Sequence, residues 1–361
     1  MTDPRPGQVK TIRAERGARR AARKALRREV RAVAGELHPG LWVVAGPQLW
    51  LRAGGIPPSD HVRRTKGEPA AASVRARVRK VLSLRDSFWV GRRSRGTAEA
   101  AIVAFDGGVV LLDPTNQRVL RTYGHGAVSD QYIRWREAFS RHVSAPAFEV
   151  AGGGRLLIED LVDGVHLLEV EPRARELVVR RLFDDYARLT KHEGEPRDGL
   201  LGTLSDAVQS SEVPEALRGA WVRADLSWLE GSTTWVPSAF EASAKNLMVA
   251  LPSTPRPIDL GDLQPDPYFT YPIGIMIAAG DESLRAYVAG AFDSEIARLV
   301  AAAGGAPWHA SRESREGLLL ARIVYVAMRD ARAAPSQERT QAFLDSLGPR
   351  WAAIESALNT P

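Results

Sequence analysis

Apolar residues come in short bursts or alternate with polar ones through the first 160 residues, then recur at helical spacing through most of the remainder. Residues 41–51 read as two short strands about the Gly46-Pro47 turn. Strand-like runs follow at 80–90, 98–105, 109–113 and 118–123. Gly91 to Gly96, Asp106-Gly107-Gly108 and Asp113-Pro114-Thr115-Asn116 separate them, and this turn chemistry predicts antiparallel hairpins. Residues 129–143 switch to a helical period through Tyr132, Trp135, Phe139 and Val143, with Ser129 as N-cap. More strand follows at 147–150 and 155–160, and beyond Gly164 the pattern predicts helices over 172–192, 204–211, 213–229, 281–303, 311–333 and 336–357.

The predicted class is α+β: an antiparallel, β-rich part with one helix, then a mainly helical part, preceded by a basic helical extension. The expected domains are 1–80 (arm, short hairpin and a Pro/Gly-rich linker at 55–73), 81–163 and 164–361. No run approaches the ~20 apolar residues of a membrane span, and the basic N-terminus has no apolar segment behind it. The expectation is a cytoplasmic protein.

Charge is concentrated at one end. Residues 1–37 hold eleven Lys/Arg against four Asp/Glu, so the formal +6 of the chain lies in the arm and the other residues are near neutral. Residues 8–37 carry a thin apolar stripe among the arginines and read as one basic helix, suited to nucleic acid or an acidic protein, or to packing on its own body. The arm has no aromatic residue to stack on bases. Cysteine is absent throughout, which excludes disulfides, thiolate metal sites and cysteine nucleophiles.

The stretch that carries chemistry is 241–262: Glu-Ala-Ser-Ala-Lys-Asn-Leu-Met-Val, a Pro-containing turn at 252–257, then Ile-Asp-Leu-Gly-Asp. Two short apolar strands flanking that turn would bring Asn246 and Asp259 together at the mouth of a hairpin. An amide oxygen beside a carboxylate suits magnesium, a hard cation that keeps several waters. Glu241, on the same loop, can accept a proton. Taken singly, each of these is ordinary, and a loop Asp or Asn is more often a turn former than a ligand.

In order and spacing this stretch resembles the catalytic segment of the protein-kinase-like superfamily, most closely the aminoglycoside phosphotransferase and choline kinase branch. There a His-x-Asp-x-x-x-x-Asn loop precedes an Asp on the next strand by about a dozen residues. The resemblance implies Asn246 and Asp259 as magnesium ligands, with Asp262 a weaker second carboxylate. It places Arg121, in Val119-Leu120-Arg121, where the family keeps its phosphate-binding lysine, and Glu137 as its ion-pair partner. Residues 156–164, including Glu159 and Leu161, resemble the strand-to-hinge segment whose backbone holds adenine. It also implies an acceptor site shaped by residues after 265, among them Asp266, Tyr268 and Tyr271, with Trp235 near the catalytic loop.

The sequence departs from the family at three positions: Ala239 for His, Glu241 for the catalytic Asp, and Arg121 for Lys. A guanidinium keeps the charge but not the shape of an ammonium. Two glycine loops, Gly91 to Gly96 and Asp106-Gly107-Gly108, compete as the phosphate loop. The expected function is an ATP- and Mg2+-dependent transfer of phosphate to the hydroxyl of a small-molecule acceptor. The alternatives are a weakened kinase-like binding protein, whose arm engages RNA, a carrier protein or a peptide, and a kinase fold with altered nucleotide chemistry such as nucleotidyl transfer.

Overall fold

The structure is a computed structural model that describes residues 36–37, 39–44, 49–52, 88–90, 95–103, 108–123, 126–239, 241–250, 253–332, 334 and 336–358. Of the basic helix expected over 8–37, residues 8–35 lie outside these residues, as do the 55–73 linker and positions 91–94 and 106–107 of the glycine loops, while Glu36 and Leu37 form a turn and an isolated bridge rather than helix. The chain divides into two compact units, residues 1–130 with 146–161, and residues 131–145 with 162–361.

The first unit is an antiparallel sheet of eight strands in the order β3-β1-β2-β4-β5-β6-β8-β7. They are β1 (Gly40–Val44), β2 (Leu49–Arg52), β3 (Phe88–Val90), β4 (Ala100–Val103), β5 (Val109–Asp113), β6 (Arg118–Thr122), β7 (Phe148–Ala151) and β8 (Leu156–Asp160). The hairpin at 41–51 forms as its pattern predicts, with Trp42 opposite Arg52, and it belongs to this sheet. Period-two alternation buries Val109, Leu111 and Asp113 on one face of β5.

Asp113 is the polar exception in that row, and its partners account for its burial. Thr97 donates to it at 2.7 Å, Arg118 Nε at 2.8 Å, and the Asn116 side chain and backbone at 2.8 and 3.2 Å. These donors hold its pKa below the usual carboxylate value against the opposing effect of burial, which is the largest single influence. Arg118 also pairs with Glu36 at 2.8 Å. Beside it Leu37 is fully buried and bridges in parallel to Ala98, so the end of the basic extension is fastened to the sheet.

The second unit is mainly helical, with two small sheets. Its described helices are α1 (Asp130–His142), α2 (Pro172–Glu193), α3 (Leu200–Val208), α4 (Glu215–Arg223), α5 (Thr270–Ala278), α6 (Asp281–Val288), α7 (Asp293–Ala302), α8 (Arg312–Ala331) and α9 (Arg339–Leu358). α2 follows its pattern: Val178, Val179, Leu182, Phe183, Tyr186 and Leu189 form one buried stripe, and Pro172 opens the helix. α1 follows β6 in the chain but packs within the second unit. Its Tyr132 hydroxyl donates to the Leu260 carbonyl at 3.1 Å, and Phe139 meets the Tyr186 ring edge-on.

Two helical expectations change. The 281–303 segment is not one helix: it breaks at Gly290, whose φ of 88° suits glycine, and buries Phe292 against Phe183 before α7 begins. α5 was not expected, because Thr-Tyr-Pro-Ile-Gly-Ile-Met-Ile-Ala is apolar on nearly every side and has no polar face to betray its period; seven of its nine residues are buried. The small sheets are β10-β11-β14 (Glu195–Asp198, Ser232–Ser238, Gln264–Pro267) and β13-β12-β9 (Thr254–Pro257, Leu247–Ala250, Val165–His166). Among the described residues no helix is long and apolar enough to cross a membrane.

Candidate functional site

The two small sheets of the second unit are joined by two crossings that lie side by side. The chain leaves β11 at Ser238, runs through 239–246 and enters β12; it returns from β13 through 258–263 into β14. β11 and β14 are antiparallel, with Ser238 opposite Gln264, and β12 and β13 are antiparallel, with Leu247 opposite Pro257. Both crossings therefore start and finish at paired strand ends. Asn246 lies on the first crossing and Asp259 on the second.

Local hydrogen bonds hold these positions. Asn246 closes a 3-10 turn, its N–H donating to the Ser243 carbonyl at 3.0 Å, while the Ile258 N–H donates to the Asn246 carbonyl at 2.9 Å. Asp259 follows directly with φ 57° and ψ 49°, a left-handed conformation that Asp tolerates better than most residues. Asn246 is half-buried and Asp259 exposed. Asp262 ends the 3-10 turn over Leu260–Asp262; only its backbone is described.

Glu241 is exposed on the first crossing, and its Oε1 lies 3.4 Å from Lys245 Nζ. A solvent-exposed pair of this kind contributes little. Beneath the crossing Ser238 and Tyr186 share a buried hydroxyl contact at 3.0 Å, and Tyr186 stacks on Tyr271 with ring centroids 5.4 Å apart. Burial raises the pKa of both tyrosines, so both stay protonated.

The acceptor-site residues expected after 265 need correcting. Asp266 is 1% exposed and carries no free charge toward a cleft: Tyr325 donates to it at 2.7 Å and Arg329 at 2.6 Å. Tyr268 and Tyr271 are buried at 2% and 1%. Trp235 is half-buried under the Arg197 guanidinium, 4.6 Å from the ring centroid.

In the first unit, Arg121 lies on β6 opposite Val110 and Leu157, and Glu159 on β8 opposite Val119 and Phe148. The register makes Arg121 and Glu159 diagonal neighbours on one face of the sheet, within reach for long side chains. Glu159 is buried, and the Leu161 N–H donates to the Gln117 carbonyl at 2.8 Å. Glu137 is exposed on α1 and belongs to the second unit.

Sequence reading missed Arg322, which is 9% exposed on α8 with its Nε 3.4 Å from the Thr270 carbonyl. The available signal was a single arginine inside the buried run Leu318 to Ala327.

No protein-family model matches the chain, and no curated protein matches its sequence. Among solved structures it is similar to the GDP complex of aminoglycoside 2'-phosphotransferase-IIIa, at 13% identity over 71% of this chain and 90% of that one, with a TM-score of 0.41. It is also similar to a macrolide 2'-phosphotransferase from Brachybacterium faecium, at 19% identity over 73% and 88%, TM-score 0.39. A choline/ethanolamine kinase family protein from Mesorhizobium loti matches at 12% identity over 75% and 90%, TM-score 0.40.

Proposed function

We propose that the protein transfers a phosphoryl group from ATP to the hydroxyl of a small molecule. The observation that supports this reading is the backbone hydrogen bond of 2.9 Å from the Ile258 N–H to the Asn246 carbonyl, which sets Asn246 beside the residue preceding Asp259. One amide oxygen and one carboxylate, the first half-buried and the second exposed, are donors that fit a magnesium ion sharing its remaining positions among waters and phosphates. Among the described residues no group of three or more His, Asp or Glu side chains is placed to hold a metal, which disfavours an all-protein metal cage. Magnesium held there would neutralise charge on the phosphate oxygens.

The remaining chemistry falls to the chain's own side chains. Glu241 lies five residues before Asn246 on the same crossing, where its carboxylate can accept the acceptor's hydroxyl proton or orient that hydroxyl. Its bond to Lys245 is exposed and weak, so the carboxylate is free to exchange partners. Tyr186, Ser238 and Tyr271 form a rigid floor that fixes the start of the crossing. Arg121 is assigned to the nucleotide phosphates on the resemblance alone.

The test is a titration of the full chain with ATP, ADP and GTP, each with and without magnesium, followed by thermal shift and calorimetry. Specific binding to the folded state raises Tm by mass action. A magnesium-dependent rise with ATP supports the reading. Its absence with every nucleotide would favour a kinase-like binding protein instead.

A further inference from the structure

One face of α2 meets β13 across an open cavity of about 250 Å³, which lies wholly within the second unit. Arg181, Asp184, Asp185 and Arg188 line it at helical spacing from α2, with Ser144, after α1, and Thr254, on β13, on the other sides. At about 30 Å³ per water, the space admits a ligand on the order of ten non-hydrogen atoms.

Each carboxylate in this wall has one oxygen without a donor. Asp185 is 8% exposed; its Oδ1 accepts from Arg188, while no described residue donates to its Oδ2. Asp184 Oδ1 takes both hydrogen bonds of Arg298, at 2.7 and 3.2 Å, and its Oδ2 likewise has no donor among the described residues. Arg181 makes no hydrogen bond or ion pair with a described residue, yet its charge is near enough to pull the Asp185 pKa down. Arg181 and Asp185 thus share the cavity wall without closing into a pair. Burial, helped by the like charge of Asp184, outweighs the nearby guanidiniums and lifts the Asp185 pKa to about 6. At neutral pH the carboxylate is ionised and short of counter-charge.

We propose that this cavity binds a small zwitterion of the α-amino-acid type, its ammonium held by the free oxygens of Asp185 and Asp184 and its carboxylate by the Arg181 guanidinium. An ammonium offers three donors and no acceptor, which suits carboxylate oxygens that lack donors, and a carboxylate matches the guanidinium fork. A lone anion would meet two carboxylates there, and a lone cation two guanidiniums; a ligand of both signs satisfies both. The remaining space, bounded by Ser144 and Thr254, takes the side chain. The site does not depend on the phosphotransfer reading, since none of its residues belongs to the 239–246 or 258–263 crossings.

The experiment is calorimetry on the full chain at neutral pH and constant ionic strength. The probes are glycine, serine, leucine and glutamine, with acetate and methylamine as the separated halves of glycine. They are applied to the unaltered protein and to Arg181→Met, Asp185→Asn and Lys191→Met. At least one of the four amino acids is expected to bind, about tenfold or more tighter than acetate or methylamine. Arg181→Met and Asp185→Asn should each weaken it about tenfold or more, the loss expected for a hydrogen bond to a charged group. Lys191→Met removes an exposed cation of the same helix outside the cavity and should leave the affinity unchanged. Arg181 is exposed, so its variant decides the question should Asp185→Asn fail to fold. No binding of any amino acid, equal binding of acetate or methylamine, or binding indifferent to both cavity substitutions overturns the proposal.

Discussion

Arg329 donates to Asp266 at 2.6 Å, with side-chain exposures of 10% and 1%, making this the most deeply buried ion pair described in the second unit. It joins β14, the strand that receives the second crossing, to α8. Burial raises the Asp266 pKa and Arg329 opposes that rise. Removing one partner strands the other charge, so Asp266→Asn should cost about 3–5 kcal/mol by denaturant unfolding. Tyr325→Phe, which removes only one hydrogen bond to the same carboxylate, should cost about 1 kcal/mol. Equal costs would show that the charge is not what Asp266 contributes.

Asp259→Asn keeps a residue tolerant of the left-handed conformation at φ 57° while removing the charge. Tm should change little, and magnesium-dependent nucleotide affinity should fall about a hundredfold or more. Calorimetry with ATP at fixed magnesium reads both quantities on one sample. Unchanged affinity would remove Asp259 from the metal site.

Glu241→Gln should lower kcat by about 10²–10⁴ and leave nucleotide affinity within about twofold, the range for loss of a general base. Lys245→Ala tests the exposed partner and should alter kcat far less. A Glu241→Gln enzyme of normal kcat would show that another group takes the proton.

Asp185, buried on α2, has its pKa raised to about 6, chiefly by desolvation and against the pull of Arg188. The folded state thus binds a proton more tightly than the unfolded chain. Its contribution to stability is fully present below the unfolded value of 3.8 and is lost as pH rises through about 6. The full swing is at most about 3 kcal/mol. Asp185→Asn should therefore gain in Tm relative to the parent as pH is raised from 4 to 7. A constant difference over that window would mean that Asp185 ionises normally.

Removing residues 1–35 should leave the fold intact, whereas a cut that also takes Leu37 should destabilise it, because Leu37 is fully buried against Ala98. If the arm binds nucleic acid, the shorter deletion should abolish an affinity that falls steeply with salt, as counterion release requires. Filter binding across a salt series measures it, and an affinity surviving the deletion would place the contact elsewhere.

What the sequence reveals depends on how much of a signal is local. α2 and the β5–β6 hairpin were legible because a helical stripe and an Asp-Pro-Thr-Asn turn are written within a few residues of each other. α5 was not, since burial on nearly every side erases the period on which a reading depends. Nor was β10, whose four residues are all exposed and show no alternation. The adjacency of Asn246 and Asp259 could be inferred from a hairpin between them. The surroundings of Arg322 could not: its partner Thr270 lies 52 residues earlier, and only tertiary packing turns an arginine of an amphipathic helix into a buried one.

The fastening of Leu37 to Ala98 has a geometric consequence for the segment before it. Residues 1–35 hold eleven Lys/Arg against three Asp/Glu. Fully extended, they span at most about 120 Å from that anchor. A ligand bound by these residues would be confined to a sphere of that radius around Leu37, a local concentration on the order of 0.1 mM or above. A ligand held only weakly by the arm is thereby presented to the rest of the protein at a level that bulk solution would seldom reach.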